Sequence, residues 1–185
     1  MIIYKEKNKF EEKLISATEQ EFQFLQNEIE QNPKLKKQLT TPIGKIPQYK
    51  HILGGIPNAH IYPLLSILKF IIIENRPGSK LLFSKAGDKF IGFITYIDNG
   101  KIINGLKIAS FFDDKAKANQ IMAKDLKYFL SEYIPKRIYI EWEVEGNHNQ
   151  ANELYQTAIP HWFPQYNFNW QLNKSNNRII YRIKI

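Results

Sequence analysis

The sequence predicts an α/β domain of the α+β kind, with a mixed, mostly antiparallel central sheet that contains one parallel crossover. Three observations predict it. Residues 81–112 read as three strands joined by two tight-turn signals, Gly87-Asp88 and Asn99-Gly100. Residues 102–158 read as strand, loop, helix, strand, helix. A helix-length crossover returns the chain to the same end of the sheet, so the strands at 102–112 and 137–144 run parallel. Residues 166–185 alternate apolar and polar on both sides of a turn at 174–177, which makes a closing hairpin.

A chain of 185 residues suits one domain over 1–185, with 1–78 as a mostly helical N-terminal part. Twelve Phe, ten Tyr and three Trp are ample for a core. The absence of cysteine excludes disulfides, thiolate metal sites and Cys nucleophiles, and fits a reducing compartment. The net charge of +8 reads either as a solvated basic surface or as a preference for an anionic partner. No block of like charge singles out nucleic acid, and the aromatics alternate as core faces, so nucleic acid is disfavoured. The N-terminus lacks the apolar stretch of a signal peptide. The most apolar window, 61–73, falls short of the roughly 20 residues needed to span a bilayer. A cytoplasmic protein without a membrane partner is expected, and a homodimer is compatible with the sequence.

In chain order, 10–17 reads as a strand. Thr18 and Glu21 form a capping box for a helix whose apolar face is Phe22, Leu25 and Ile29, ended by Asn32-Pro33. A short helical turn follows at 34–39. Residues 41–60 hold six Gly and Pro and read as a loop that walls a substrate site, with His51 and His60 as exposed loop histidines. No metal site is expected. Residues 61–73 read as a buried helix, although three consecutive isoleucines also suit a strand; 75–78 turns. Strands follow at 81–86, 90–97 and 102–112, and Gly105 marks a bulge or a close backbone approach. After a loop at 113–118, a helix over 119–134 buries Met122, Leu126, Phe129, Leu130 and Tyr133, with Lys124, Asp125, Lys127 and Glu132 outside the stripe. Pro135 stops it. In the next strand Ile138, Ile140, Trp142 and Val144 form the core face and Glu141 and Glu143 the other. A helix over 149–158 and the strand face Tyr166, Phe168, Trp170 and Leu172 complete the chain, with Ile179, Tyr181, Ile183 and Ile185 on the return strand.

This order of elements resembles the GNAT superfamily of acyl-CoA N-acyltransferases from about residue 81 to the C-terminus. Ala151, Leu154 and Tyr155, straight after the strand at 138–144, are similar to that family's Asn-x-x-Ala-x-x-Leu-Tyr helix. There are departures. The family's Asn falls on His148, flanked by Asn147 and Asn149. The family's pyrophosphate loop, Arg/Gln-x-x-Gly-x-Gly/Ala, is not intact. One register puts Lys117 at the basic position and Gln120 and Met122 at the glycines; the other puts Ala118, Ile121 and Ala123 there. Glycine lets backbone N–H groups approach a phosphate, and a side chain blocks that approach. Asp113 and Asp114 also enter the loop, where a phosphate disfavours carboxylates.

The resemblance implies transfer of an acetyl or other acyl group from acyl-CoA, as co-substrate, to a small-molecule or peptide amine. It implies Tyr155 as general acid toward the leaving thiolate, against a core tyrosine on the other reading. Glu143, then Glu141, are the candidate general bases, because a carboxylate on a covered sheet face calls for solvent or a partner; salt-bridged glutamates are the competing reading. The cofactor contacts it implies are the backbone of Ile108, Ala109 and Ser110, the helix start at Lys115, Lys117, Asn119 and Gln120, and Asn147 and Asn149. The alternative is a non-catalytic GNAT-like binding protein that has lost the CoA loop.

Overall fold

The Asn99 side chain closes the second turn, helped by Asp98, whose Oδ1 accepts from Gly100 N–H (2.9 Å). The Asn99 side-chain oxygen accepts from the backbone N–H of Lys101 (3.0 Å) and Ile102 (2.8 Å), and Gly100 takes the φ of +87° that the turn requires. This fixes a meander of β3 (Ser79–Ala86), β4 (Lys89–Asp98) and β5 (Ile102–Ser110), all antiparallel. The computed structural model describes residues 2–4, 12–53, 58–73 and 77–185. Parts of the sequence readings at 10–11, 54–57 and 74–76 lie outside them. Gly105, at φ +61°, sits where the β4–β5 register slips between Thr95 and Ile97, so it marks a bulge.

Ahead of the meander, β1 (Ile2–Tyr4) and β2 (Glu12–Ser16) extend the sheet, β2 pairing antiparallel with β3. Thr18 Oγ1 accepts from Glu21 N–H (3.2 Å) and opens α1 (Glu19–Gln31), which buries Phe22, Leu25 and Ile29. Asn32 ends α1 and caps α2 (Pro33–Thr40), where Pro33 sits in the first turn and costs no hydrogen bond. The stretch read as an irregular loop contains three 3₁₀ turns, Ile43–Lys45, Pro47–Leu53 and Ala59–Ile61. Ile43 and Tyr49 are fully buried there, so burial of alternate apolar side chains orders a Gly- and Pro-rich stretch. α3 (Leu64–Ile73) is a helix, and Ile61 and Tyr62 before it are exposed.

After β5, α4 (Lys115–Tyr133) crosses to β6 (Tyr139–Glu145), followed by α5 (Asn149–Trp162), β7 (Asn167–Asn173) and β8 (Arg178–Lys184). Among the described residues eight strands run in the order β1-β2-β3-β4-β5-β6-β8-β7, and β5–β6 is the parallel pair. Helices cover both faces. On one, α1, α2, α3 and the 3₁₀ turns pack on Phe83, Phe93 and Phe111. On the other, α4 and α5 pack on Ile94, Ile103, Ile140, Trp142, Tyr181 and Ile183. No helix among the described residues is long and apolar enough to cross a membrane.

Several side-chain placements differ from the sequence reading. Ile138 lies ahead of β6 and is 60% exposed, outside the strand whose alternation was to bury it. Trp170 and Leu172 are half exposed because β7 is the last strand of the sheet, with no strand beyond it among the described residues. Ile121, not Met122, is the buried residue at the start of the α4 stripe. Asp125, read as outside the apolar stripe, is 3% exposed, since α4 packs on the sheet and brings Asp125 onto Ser84.

Ser84 Oγ donates to Asp125 Oδ1 (2.9 Å), while Asp125 Oδ2 is buried without a partner among the described residues. Desolvation pushes the Asp125 carboxyl up to about 7, with Glu12 acting in the same direction. The unfolded chain ionises near the ordinary value of 3.8 while the folded chain stays protonated to about 7. Stability is therefore lost progressively between those values and is constant above them. Asp125→Asn keeps an acceptor for Ser84 and removes the ionisation. It is expected to raise Tm by about 5 °C at pH 8, roughly 2 kcal/mol for a domain of this size, and to have little effect at pH 4. A calorimetric melt series from pH 4 to 8 measures it; a lower Tm than wild type at pH 8 contradicts the assignment.

Candidate functional site

The parallel pairing of β5 with β6 is brief. Ile102 aligns with Tyr139 and Ile103 with Ile140, and the two strands then separate. Arg137 holds the start of this junction: Nε and Nη2 donate to the two Asp98 oxygens at 2.9 and 2.6 Å, and this pairing holds the Asp98 carboxyl below its ordinary range. Beyond Ile103, β5 continues to Ser110 beside β4 alone.

An antiparallel ladder uses every second residue. Phe111 N–H donates to the Ile91 carbonyl (2.9 Å), so the backbone groups of Ile108 and Ser110 point to the opposite edge, toward the parting of β5 and β6. The 3₁₀ turn Pro47–Leu53 meets the carbonyls there. Gln48 Nε2 donates to the carbonyls of Ser110 and Phe112 (both 3.3 Å), Tyr49 Oη lies 2.9 Å from the Ser110 carbonyl, and His51 Nε2 lies 2.9 Å from that of Ile108. A carbonyl only accepts, so Nε2 carries the His51 proton. Tyr49 is fully buried, also 2.7 Å from Gln38 Oε1 of α2, and desolvation raises its phenol well above the ordinary value.

Desolvation also lowers the His51 imidazole, opposed by its bond to the Ile108 carbonyl and aided by the nearby Lys107. His51 therefore stands beside β5, near Lys107 and the His148 cap of α5. The residue keeps exposed surface, as the sequence reading expected, while its ring is tied to β5 and partly desolvated there. Lys107 shares this region. Desolvation and Arg178 hold its ammonium down, against Glu143. Neither Lys107 nor the β5 contact of His51 was found from the sequence, because no local pattern encodes which strand edge will be open.

Of the predicted bases, Glu143 lies 3.0 Å from Arg178 Nε and is well exposed, and Glu141 accepts from Arg182 Nε (2.8 Å). Both sit on the face of β6 opposite Trp142. Tyr155, on α5, lies against the Trp142 face, its ring 5.6 Å from Trp142 and 5.3 Å from Tyr181 in edge contacts. Desolvation pushes its phenol up to about 12. The predicted acid and bases thus flank β6 from opposite faces.

α5 is oriented by a buried network. Asn152 Nδ2 donates to the Glu145 carbonyl (3.0 Å), Tyr181 Oη donates to Asn152 Oδ1 (2.7 Å), and Gln156 Nε2 donates to Tyr181 Oη (3.1 Å). At its start, His148 Nδ1 accepts from Ala151 N–H (3.2 Å). His148 thus serves as a cap where the family pattern has asparagine. Asn147 precedes that cap and Asn149 is the first helical residue, both exposed.

The start of α4 differs most from expectation. The helix begins at Lys115, four residues before the predicted 119, because Asp114 caps it: Oδ1 accepts from Lys117 N–H (2.7 Å). Lys115, Lys117, Asn119 and Gln120 are therefore helical, and Lys117 Nζ lies 3.9 Å from the centre of the Phe112 ring. A groove of about 860 Å³ runs beside this helix start, lined by Lys34, Lys89, Lys117 and Lys124 against Glu12, Glu28 and Asp113. No residue of β6 lines it, so it is separate from the parting of the strands.

No family model and no curated sequence matches the chain. Solved structures do. An aminoglycoside acetyltransferase in complex with coenzyme A is 10% identical, with 94% of each chain covered and a TM-score of 0.55. The microcin C7 self-immunity acetyltransferase in complex with acetyl-CoA and AMP is 16% identical over 94% of this chain and 92% of that one, TM-score 0.54. The spermidine N-acetyltransferase of Vibrio cholerae in complex with CoA and spermine is 13% identical over 93% of each, TM-score 0.53. The chain has the GNAT fold, as the order of its elements implied.

The residues at the start of α4 do not fit a pyrophosphate. No glycine opens the backbone, the Asp114 carboxylate occupies the helix N-terminus, and Asp113 stands beside it. The segment 47–51 is expected to be held by β5 itself. Tyr49→Phe removes a buried donor at a cost of about 1–2 kcal/mol. It should speed amide hydrogen exchange at 106–110 and at 47–51 together; unchanged exchange in 47–51 contradicts the tie.

Proposed function

We propose that the protein is an N-acyltransferase that moves an acyl group from a thioester donor to a primary amine at the parting of β5 and β6. The observation that carries this reading is the separation of the two parallel strands after Ile103, in a fold whose solved neighbours bind coenzyme A. Acetyl-CoA or a related acyl-CoA is the proposed donor, with its acyl-bearing arm beside 106–110. The start of α4 contributes no phosphate cradle.

In this proposal the amine nitrogen attacks the thioester carbonyl carbon, the C–S bond breaks, and the thiolate sulfur takes a proton. Backbone N–H groups of β5 that face the parting polarise the carbonyl. Tyr155, with its phenol raised to about 12, holds its proton at neutral pH and donates it to the thiolate. Glu143, paired with Arg178, accepts the amine proton from the other face; Glu141, nearer the junction, is the second candidate. The acceptor is a small-molecule or peptide amine.

A second reading, a non-catalytic GNAT-fold binding protein, is favoured by two observations: the Asp114 cap, and the donation of Gln48 and His51 to the carbonyls of β5.

Titration separates the two readings. If the thioester arm alone is held, acetyl-CoA and S-acetylpantetheine should bind within about threefold of each other, because no phosphate contact favours the larger donor. Absence of heat and of thermal shift with both at millimolar concentration supports the non-catalytic reading. Where turnover is measurable, Tyr155→Phe is expected to lower kcat by about 10²-fold with KM changed much less; an unchanged kcat removes Tyr155 from the acid role.

A further inference from the structure

Lys107 stands on β5 opposite Thr95 of β4. Strand alternation sets it on the face of Ala109, the face that carries α1, α2, α3 and the 3₁₀ turns. That cover stops at β5. Among the described residues, the core beneath it takes side chains from β2 to β5 and none from β6 or β8. Past the parting of the strands the same face presents polar side chains instead: Glu141 and Glu143 from β6, and Arg178 and Arg182 from β8, on the side opposite Trp142 and Tyr181. Lys107 lies at the step between the covered and the uncovered part, near His51 of the 3₁₀ turn Pro47–Leu53.

The charges on this shelf do not balance. Glu141 is taken by Arg182, at 2.8 Å from Nε, and Glu143 lies 3.0 Å from Arg178. Lys107 has neither an ion pair nor a side-chain hydrogen bond among the described residues. It is half-buried, and the neighbouring Arg178 repels its ammonium while Glu143 attracts it. An ammonium drawn out of water beside a second cation costs free energy unless an anion joins it. Arg178 has an unmet need of its own. Its Nε is buried and, although close to Glu143, has no hydrogen-bond acceptor among the described residues. Glu145 faces Arg178 across the ladder but is not among the groups that act on Lys107.

We infer that Lys107, together with Arg178, holds an anionic group of the acyl acceptor, so that the acceptor is a primary amine that also carries a carboxylate or a phosphate. This assignment rests on the acyl-transfer proposal, which places the acceptor on the Glu143 face of β6. The donor does not account for the charge, because the pantetheine arm placed beside 106–110 is uncharged. Tyr155, the proton donor to the thiolate, stands on the other face of β6. A polyamine is a poor match, since its second ammonium would meet Lys107 and Arg178 with like charge. With the anion on the two cations, the amine end of the acceptor is left to Glu143. Lys107 thus selects the acceptor and transfers no proton.

Binding measured without any acyl donor tests this. Wild-type protein is titrated calorimetrically with β-alanine, O-phosphoethanolamine, ethanolamine and putrescine. One of the two anionic amines is expected to bind at least about tenfold more tightly than ethanolamine, and putrescine more weakly than ethanolamine. Which anionic amine is preferred separates carboxylate from phosphate. Lys107→Met keeps the aliphatic stem and should bring the preferred amine down to the affinity of ethanolamine without lowering Tm. Lys107→Gln repeats the measurement should Lys107→Met not fold, and Lys107→Arg should retain the preference. No binding of either anionic amine at millimolar concentration, or a preference that survives loss of the ammonium, overturns the inference. Acylation assays with the same four amines separate it from the proposal beneath it. Transfer to ethanolamine or putrescine ahead of both anionic amines keeps the transferase and overturns the anionic acceptor. Lys107-dependent binding of an anionic amine, with transfer to none of the four from any thioester, keeps the anion site and overturns the transferase.

Discussion

The second edge of β5 is the constraint on which the rest of the molecule turns. Beside β4 the strand is paired in the ordinary way. Beside β6 it is paired at only two positions, and its outward carbonyls then need donors from elsewhere. A buried carbonyl without a donor costs about 1–3 kcal/mol, so the gap is not neutral. The donors come from Gln48, Tyr49 and His51, more than fifty residues upstream. Tyr49 also lies against Gln38, so the same contact binds α2 to the sheet. A stretch of short 3₁₀ turns thus acts as a strap across the end of the strand.

The parting of the strands and the start of α4 differ in what they offer a ligand. The parting of the strands is retained, with Tyr155 and Glu143 on either side of β6. The helix start that offers N–H groups to an anion is taken by the chain's own carboxylate at Asp114. A helix N-terminus attracts negative charge wherever it comes from, and a covalently attached carboxylate is always at hand. A shared fold therefore does not carry a shared phosphate site.

Much of the architecture was legible in the sequence because it rests on local chemistry. Asn99-Gly100 and Gly87-Asp88 announced the meander, Thr18 and Glu21 announced α1, and the alternation around Ile140 and Trp142 announced β6. The Asp114 cap was equally local but was passed over: Asp113-Asp114 was read for its charge and not as the start of a helix. Asp125 was misplaced for a different reason. Helical periodicity shows which side of α4 is apolar, but not that its margin lies over Ser84.

The sequence by itself determined the order and kind of the elements, the parallel crossover and the position of Tyr155 on the closing helix, because turns, caps and apolar periodicity act over a few residues. The tertiary structure alone decided which edges stay open and what fills them. Gln48 and His51 reach β5 across more than fifty residues, Glu143 finds Arg178 on a neighbouring strand, and β7 is left at the margin. Those outcomes depend on how strands are ordered across the sheet, a long-range property that no local spacing contains.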